Sequence, residues 1–278
     1  MRSASLSIEY KTAEQLALMR APGLLVAQTL DLVRQAVAPG VCTADLDAMA
    51  ERNIRAAGGI PSFKGYFGYP ASLCTSVNEQ IVHAIPAKTQ VLREGDLISI
   101  DCGAIVDGWH GDAAVTVPVG EVPAELERMI RAAEDAMWTG LAAAADGTAS
   151  GRGRLTDISA AIESRIRSAG RYGIVRGYGG HGIGTEMHQD PHVLNYGRPG
   201  KGPRLVPGMA LAIEPMITVG SPETVQLADG WTVVTKDGSL AVHVEHTVAL
   251  FEDGVWVTTA HDGGLARLGA DRLTSRAR

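Results

Sequence analysis

The chain has 278 residues, enough for one large domain or two small ones with a sizeable core, and carries a net charge of −6 from 25 basic and 31 acidic residues. That balance argues against generic binding of nucleic acid through phosphate neutralisation, though it leaves room for a local basic patch. The three cysteines, Cys42, Cys74 and Cys102, show no CxxC spacing and no run reaches the ~20 apolar residues of a membrane span, so reduced thiols without a disulfide, and a soluble cytoplasmic protein, are expected.

The N-terminal residues lack the apolar stretch of a secretory leader. Residues 12–38 carry Leu16, Met19, Leu24, Ala27, Leu30, Val33 and Val37 at helical spacing, with Thr12 and Gln15 placed for a capping box and a stop at Pro39-Gly40. A second helix is predicted over 43–58, capped by Thr43 or Asp45 and ended by Gly58. Residues 60–70, rich in Gly, Pro and aromatics, read as a loop, and 71–77 and 80–84 as strands flanking Asn78-Glu79. The stretch 97–117 then reads as a β-hairpin turning at Asp107-Gly108. Its apolar strands contain Asp101 and Asp112. A buried carboxylate without a partner costs several kcal/mol, so such acids are paired, bind a metal, or flank a turn in solvent.

From residue 123 the order repeats: a helix over 123–145, a loop over Gly147–Gly153 and a helix over 155–170. Sliding 43–58 onto 155–170 gives seven identities in sixteen positions, including Asp45 on Asp157, Ile54 on Ile166 and Gly58 on Gly170. The segment 91–101 then aligns with 204–214, placing Asp101 on Glu214, and Glu245 opens a strand as Asp112 does. The connection is longer in the second half (31 residues from Glu214 to Glu245 against 11), leaving an insertion around Trp231. One pseudo-symmetric α+β domain over 1–278 is expected, with repeats at about 12–120 and 123–260. The tail from 262, polar and basic, is expected to be partly disordered.

Four strand-borne carboxylates converging in a core would repel one another and raise several pKa values. Two divalent cations would cancel their formal charge, and an imidazole ligand would favour first-row transition metals. Among the eight histidines, His181 sits in a Gly-flanked loop, His188 follows seven residues later, and His83 ends a strand. His243 shares a strand face with Glu245 and is a weaker candidate behind the ligands. His246 points the other way, and His110 and His261 read as structural. Cys102 alternates away from Asp101, and no base is placed to activate Cys74.

The segments IEYKTAEQLALMRAPG, GYPASLCTSVNEQIVHAIP, ISIDCGAIVDGWHGDAAVT, GYGGHGIGTEMHQDPHVLNYG, LAIEPM and DGWTVVTKDGSLAVHVEHTVA run in order from about residue 8 to 260. In them the chain resembles the type I methionine aminopeptidases, which have the pita-bread fold: two pseudo-symmetric halves of antiparallel sheet flanked by helices. The resemblance implies five metal ligands, Asp101, Asp112, His181, Glu214 and Glu245. Asp101 would chelate one of two divalent ions (Co, Mn or Fe(II)), His181 and Glu214 the other, and Asp112 and Glu245 would bridge them. The implied reaction is removal of the first methionine from nascent chains with a small second residue, by a hydroxide bridging the two metals. Glu214 would move the proton, His188 would donate to the scissile carbonyl oxygen, and His83 would face the scissile nitrogen.

The resemblance further implies a methionine pocket at Tyr66, Tyr69, Cys74, His83, Met187, His188 and Trp231, with sulfur–aromatic contacts suited to a thioether. Met187 stands where the family commonly has Phe, and Phe63 is large for the pocket edge. The implied setting is a cytoplasmic monomer meeting nascent chains near the ribosomal exit, with no membrane and no sequence-specific nucleic acid. The nearest alternative is an Xaa-Pro aminopeptidase or prolidase on the same fold, which usually carries a further N-terminal domain. A type II enzyme would need a longer insertion before Glu214, and a non-catalytic binding protein would have no need of all five ligands.

Overall fold

The computed structural model describes residues 7–277. The first helical pattern is divided into α1 (Ala13–Leu18) and α2 (Arg20–Ala36). Pro22 accounts for the break: it has no N–H for the Leu18 carbonyl, and its ring crowds that oxygen. Thr12 and Gln15 form the capping box read from the sequence, with Thr12 Oγ1 accepting the Gln15 N–H and Gln15 Oε1 accepting the Thr12 N–H. α3 (Thr43–Ala56) starts from Cys42 and has no side-chain cap. The hydroxyl of Thr43, expected to cap it, is instead bonded to the backbone of Ala87.

β1 (Ile60–Pro61), β2 (Leu73–Val77), β3 (Gln80–Val82), β4 (Leu97–Val106) and β5 (Trp109–Pro118) complete the first half. β4 is flanked by β5 and by β2 and β1, all antiparallel. Asp107 and Gly108 both have positive φ (50° and 81°), as a two-residue type I′ hairpin requires. The strands run well past both acids, so Asp101 and Asp112 stand inside the ladder rather than at its ends. α2 and α3 bury Leu25, Val26, Leu30, Val33, Leu46 and Ile54 against the far face, where Ile98, Ile100 and Cys102 point. A Cβ on Gly23 would lie 2.4 Å from the Thr258 carbonyl oxygen, and one on Gly111 would lie 2.6 Å from the Gly23 nitrogen. Bare backbone there lets α2 settle directly on β5. Together α1 and α2 are long and apolar enough to cross a membrane (24 residues, mean hydropathy 1.4), but α2 lays its apolar side on β4 and β5 and α1 packs on β14.

The second half opens with α4 (Ala124–Ala149) and α5 (Leu155–Ala169). α4 continues through Gly147, where a loop was expected, because Leu205 and Gly153 pack against the bare glycine. The remaining elements are β6 (Gly173–Ile174), β7 (Gly180–Gly182), β8 (Gln189–Val193), β9 (Ala210–Ile213), β10 (Met216–Thr218), β11 (Thr224–Gln226), β12 (Val233–Thr235), β13 (Ala241–His243), β14 (His246–Phe251), β15 (Gly254–Val257) and α6 (Leu265–Leu268). A five-stranded sheet has the order β15-β14-β9-β7-β8, and α4 and α5 cover it as α2 and α3 cover the first. The halves are stitched where Ala114 of β5 pairs with Glu245 (N–H to carbonyl 2.9 and 3.3 Å). Inside the insertion, β12 pairs with β3, which fastens the Trp231 arm to the first half.

The tail is ordered through 277, contrary to the expectation from its composition. Leu268 and Leu273 are buried, Leu273 bridges to Val255, and Arg272 makes a two-pronged ion pair with Asp146 (2.6 and 3.0 Å). Two leucines, 11 and 16 residues past Val257 at the end of the last strand, were enough to dock a segment that is otherwise polar.

Candidate metal centre

The site is built on two antiparallel strand pairs. In the first, Asp101 lies opposite Ala114 and Asp112 opposite Gly103, so the two acids share a face with a two-residue stagger. Cys102 points the other way into the apolar core. In the second, Ile213 pairs with His246, and Glu214 and Glu245 occupy the positions just beyond. The Ala114–Glu245 pairing brings the two faces together.

His181 sits at the middle of β7, between β8 and β9, and not in a loop. A Cβ on Gly180 would overlap the Ala212 carbonyl and one on Gly182 the Asp190 carbonyl, so the glycines that resemble a loop are what let this strand fit. His181 Nδ1 donates to the Gly182 carbonyl at 2.9 Å, leaving the Nε2 lone pair 3.6 Å from Asp112 and 3.8 Å from Glu214. On the other side of Glu214, His243 Nε2 lies 3.2 Å from the second carboxylate oxygen. Asp112, His181 and Glu245 form one cluster whose ligand atoms all lie within 4.8 Å of one another, and Glu214, His243 and Glu245 form another. Asp101 belongs to neither cluster, although it is buried beside Asp112.

The electrostatics are those of a cage short of positive charge. Burial, then the neighbouring carboxylates, push Asp101 and Glu245 well above the usual carboxylate range. Burial also raises Asp112, with His181 pulling against it. For Glu214 burial acts upward, but His243, His181 and His83 outweigh it and hold the carboxyl low. Burial acts downward on His181, and Asp112 and Glu214 reverse it. Asp101 Oδ1, Asp112 Oδ1, Glu245 Oε1 and His243 Nε2 are all buried without a hydrogen-bond partner among the described residues. Such groups are ordinarily satisfied. Three carboxylate oxygens and one imidazole nitrogen orphaned in one place fit divalent cations.

Above the cage is a cavity of about 90 Å³ lined by Phe63, Tyr66, Tyr69, Cys74, His83, His188 and Trp231. Trp231 packs edge-on against Tyr69, whose hydroxyl donates to the Leu73 and Ala84 carbonyls. The Tyr66 hydroxyl and His188 Nδ1 are hydrogen-bonded at 2.8 Å, and burial, then His181, push His188 down to about 4. Burial likewise lowers His83, which has φ +61° and packs against Tyr178. An open groove runs from His83, His188 and Glu214 past Tyr178, Asp190 and His192.

The family model for metallopeptidase family M24 matches residues 17–252. The chain belongs to family M24. Methionine aminopeptidase of Clostridium acetobutylicum is 51% identical over 249 residues, covering 90% of this chain and 97% of that protein. Methionine aminopeptidase 1 of Mycobacterium tuberculosis is 50% identical, covering 91% and 95%. The crystal structure of methionine aminopeptidase from Thermotoga maritima superposes with a TM-score of 0.86 at 38% identity, covering 91% of this chain and all of that one. The pita-bread fold expected from the sequence is present.

In this M24 peptidase all five expected ligand residues face one site, and His83, His188, Tyr66, Tyr69, Cys74 and Trp231 line the cavity beside it. Met187, expected among them, does not line it. Its side chain is buried beside Phe63 in the space left by Gly103, and it is Phe63 that reaches the cavity. Cys74 has its thiol pushed well up by burial and by Asp101, which suits an apolar wall and not a nucleophile. His246 is bonded to Thr259, His110 to Ser62 and His261 to Asp31, as structural histidines are. The sequence reading missed the bond between Tyr66 and His188, which joins residues 122 apart and leaves no local signal.

Proposed function

We propose that the protein is a methionine aminopeptidase that removes the first methionine from nascent chains whose second residue is small. The observation that carries this reading is the orphaned carboxylate cage at the floor of a small aromatic cavity, in a chain half identical to proteins of that name. Asp101, Asp112, His181, Glu214 and Glu245 would hold two divalent ions, with Co, Mn and Fe(II) suited to mixed carboxylate and imidazole donors. When bound, such ions supply Lewis acidity to the scissile carbonyl and acidify the attacking water.

The protein's own groups do the rest. Phe63, Tyr66, Tyr69 and Trp231 enclose the methionine side chain and exclude water from it. The free α-amine meets the carboxylates at the closed end, which limits reaction to residue one. Glu214, held ionised at neutral pH, takes the proton of the attacking water and delivers it to the leaving nitrogen. His188 stays neutral, and the Tyr66 hydroxyl bonded to Nδ1 leaves Nε2–H to donate to the carbonyl oxygen as it becomes tetrahedral. His83 faces the scissile amide. The groove beyond accommodates the following residues.

In the cell we place the enzyme in the cytoplasm as a monomer, acting on chains emerging from the ribosome. The test is release of methionine from Met-Ala-Ser by protein loaded with Mn, Co or Fe(II), alongside Ala-Pro. Methionine release with little Ala-Pro cleavage is expected. The opposite preference would assign the site to proline-specific hydrolysis, and no release with any of the three metals would overturn the reading.

A further inference from the structure

His243 ends β13 with 1% of its surface exposed, opposite Met216 and at the seam between the halves. Its backbone is gripped on both sides: the N–H donates to Ser99 Oγ (3.2 Å) and Thr116 Oγ1 (3.1 Å), and the Thr116 hydroxyl donates to its carbonyl (2.7 Å). The ring is therefore delivered to a fixed place. There Nε2 comes within 3.2 Å of Glu214 Oε2, yet the alignment is not that of a hydrogen bond, and Nε2 has no hydrogen-bond partner among the described residues. Glu214 presents its other oxygen to His181.

Two atoms that each lie ~2.1 Å from one cation are separated by about 3.0 Å at octahedral angles and about 3.4 Å at tetrahedral ones. The 3.2 Å separation falls between these limits. A ring nitrogen of His243 also lies within 4.8 Å of a Glu245 oxygen as well as of Glu214. We propose that His243 is a sixth protein ligand, giving its Nε2 lone pair to a cation shared with Glu214 and Glu245. This rests on the metal reading above and refines it: His243 adds a second imidazole to the one, His181, among the five expected ligands, and Glu245 is common to the clusters that contain them. A second nitrogen donor shifts the centre away from Mg and Ca and toward the borderline metals of the first transition row.

The test loads the full-length protein with Zn(II) alone and counts metal-bound imidazoles by X-ray absorption, with the ¹⁵N shifts of the histidine rings as a second readout. The count should fall by one in His243→Gln, and the wild-type His243 Nε2 should show the shift of a metal-bound nitrogen. Affinity for Co(II), measured by chelator competition, should drop at least tenfold in the variant, and affinity for Mn(II) by less. An unchanged count, or a wild-type His243 Nε2 that keeps its proton in the Zn(II) form, overturns the assignment while leaving the metal centre standing. Absence of any Zn(II) binding overturns the metal reading along with it. Circular dichroism of the metal-free variant checks its fold, and the wild-type shift decides the matter even if that variant does not fold.

Discussion

The two halves supply the same number of carboxylates by different means. In the first, Asp101 and Asp112 stand inside a long regular hairpin, staggered by two residues. In the second, Glu214 and Glu245 lie just beyond the ends of β9 and β14, directly opposed, on side chains one methylene longer. The second half also brings His181, His188 and His243, whereas the first contributes only His83 at the cavity. A rigid hairpin thus contributes fixed negative charge, while the strand ends of the other half provide reach and nitrogen. The two halves share a frame, and only the second is rich in imidazole at the site.

The comparison is broken most directly at Glu245, which both clusters share. Glu245→Gln and Asp112→Asn should each lower methionine release on the order of 1000-fold or more, or ~4 kcal/mol of barrier. Removing metal with a chelator should do the same reversibly. Stability should move the other way. In metal-free protein the folded-state pKa of Glu245 is raised, so the stabilisation belonging to its protonated form is present at low pH and is lost as pH rises above the ordinary carboxylate range of about 4. Thermal melting of metal-free Glu245→Gln should therefore exceed wild type by a margin that widens as pH rises. A variant less stable than wild type at neutral pH would mean that the acids do not repel.

His188→Ala tests the second half's contribution to chemistry, with an expected loss of about 100- to 1000-fold in kcat, the usual cost of an oxyanion donor. Tyr66→Phe keeps the aromatic wall and deletes only the hydroxyl bonded to His188 Nδ1. We expect a loss of about 3- to 10-fold in kcat with little change in KM, as one hydrogen bond is worth ~1 kcal/mol. In the double variant the Tyr66 effect should vanish. Independent effects would show that the bond does not act through His188.

The difference between the halves also marks where the sequence is legible. Asp107-Gly108 between apolar runs announces a hairpin, and the spacing of Leu16 to Val37 announces a helix, because both signals are local. Pro22 divides that helix without disturbing the periodicity, so only its chemistry betrays the break. The stagger of Asp101 against Asp112 is a matter of strand register, set by tertiary pairing, as is the capture of His181 in a strand by neighbours that only glycine tolerates. The five expected ligand residues were named from the repeat pattern and the resemblance, and the fold brings them to one site. The environment of His243 and the retreat of Met187 behind Phe63 depend on which side chain fills a shared space, and the sequence carries no period for that.

The smallest effect on turnover is expected at the C-terminal tail, which extends only the second half. Leu273 is fully buried beside β15, and Asp253 accepts bonds from Thr274 and Ser275 that hold the segment in place. These bonds keep Asp253 low, at about 2, so their contribution is present at neutral pH and is lost as pH falls from about 4 toward 2. Leu273→Ala should cost ~2–5 kcal/mol in denaturant unfolding at neutral pH, as a cavity left by a buried leucine does. Metal affinity and kcat should stay within about twofold, because the tail packs behind β15, with β14 between it and the strands that hold Glu214. A large drop in Co(II) affinity in this variant would show that the tail sets the spacing of β9 and β14, and that the reach of the two glutamates depends on an extension the first half lacks.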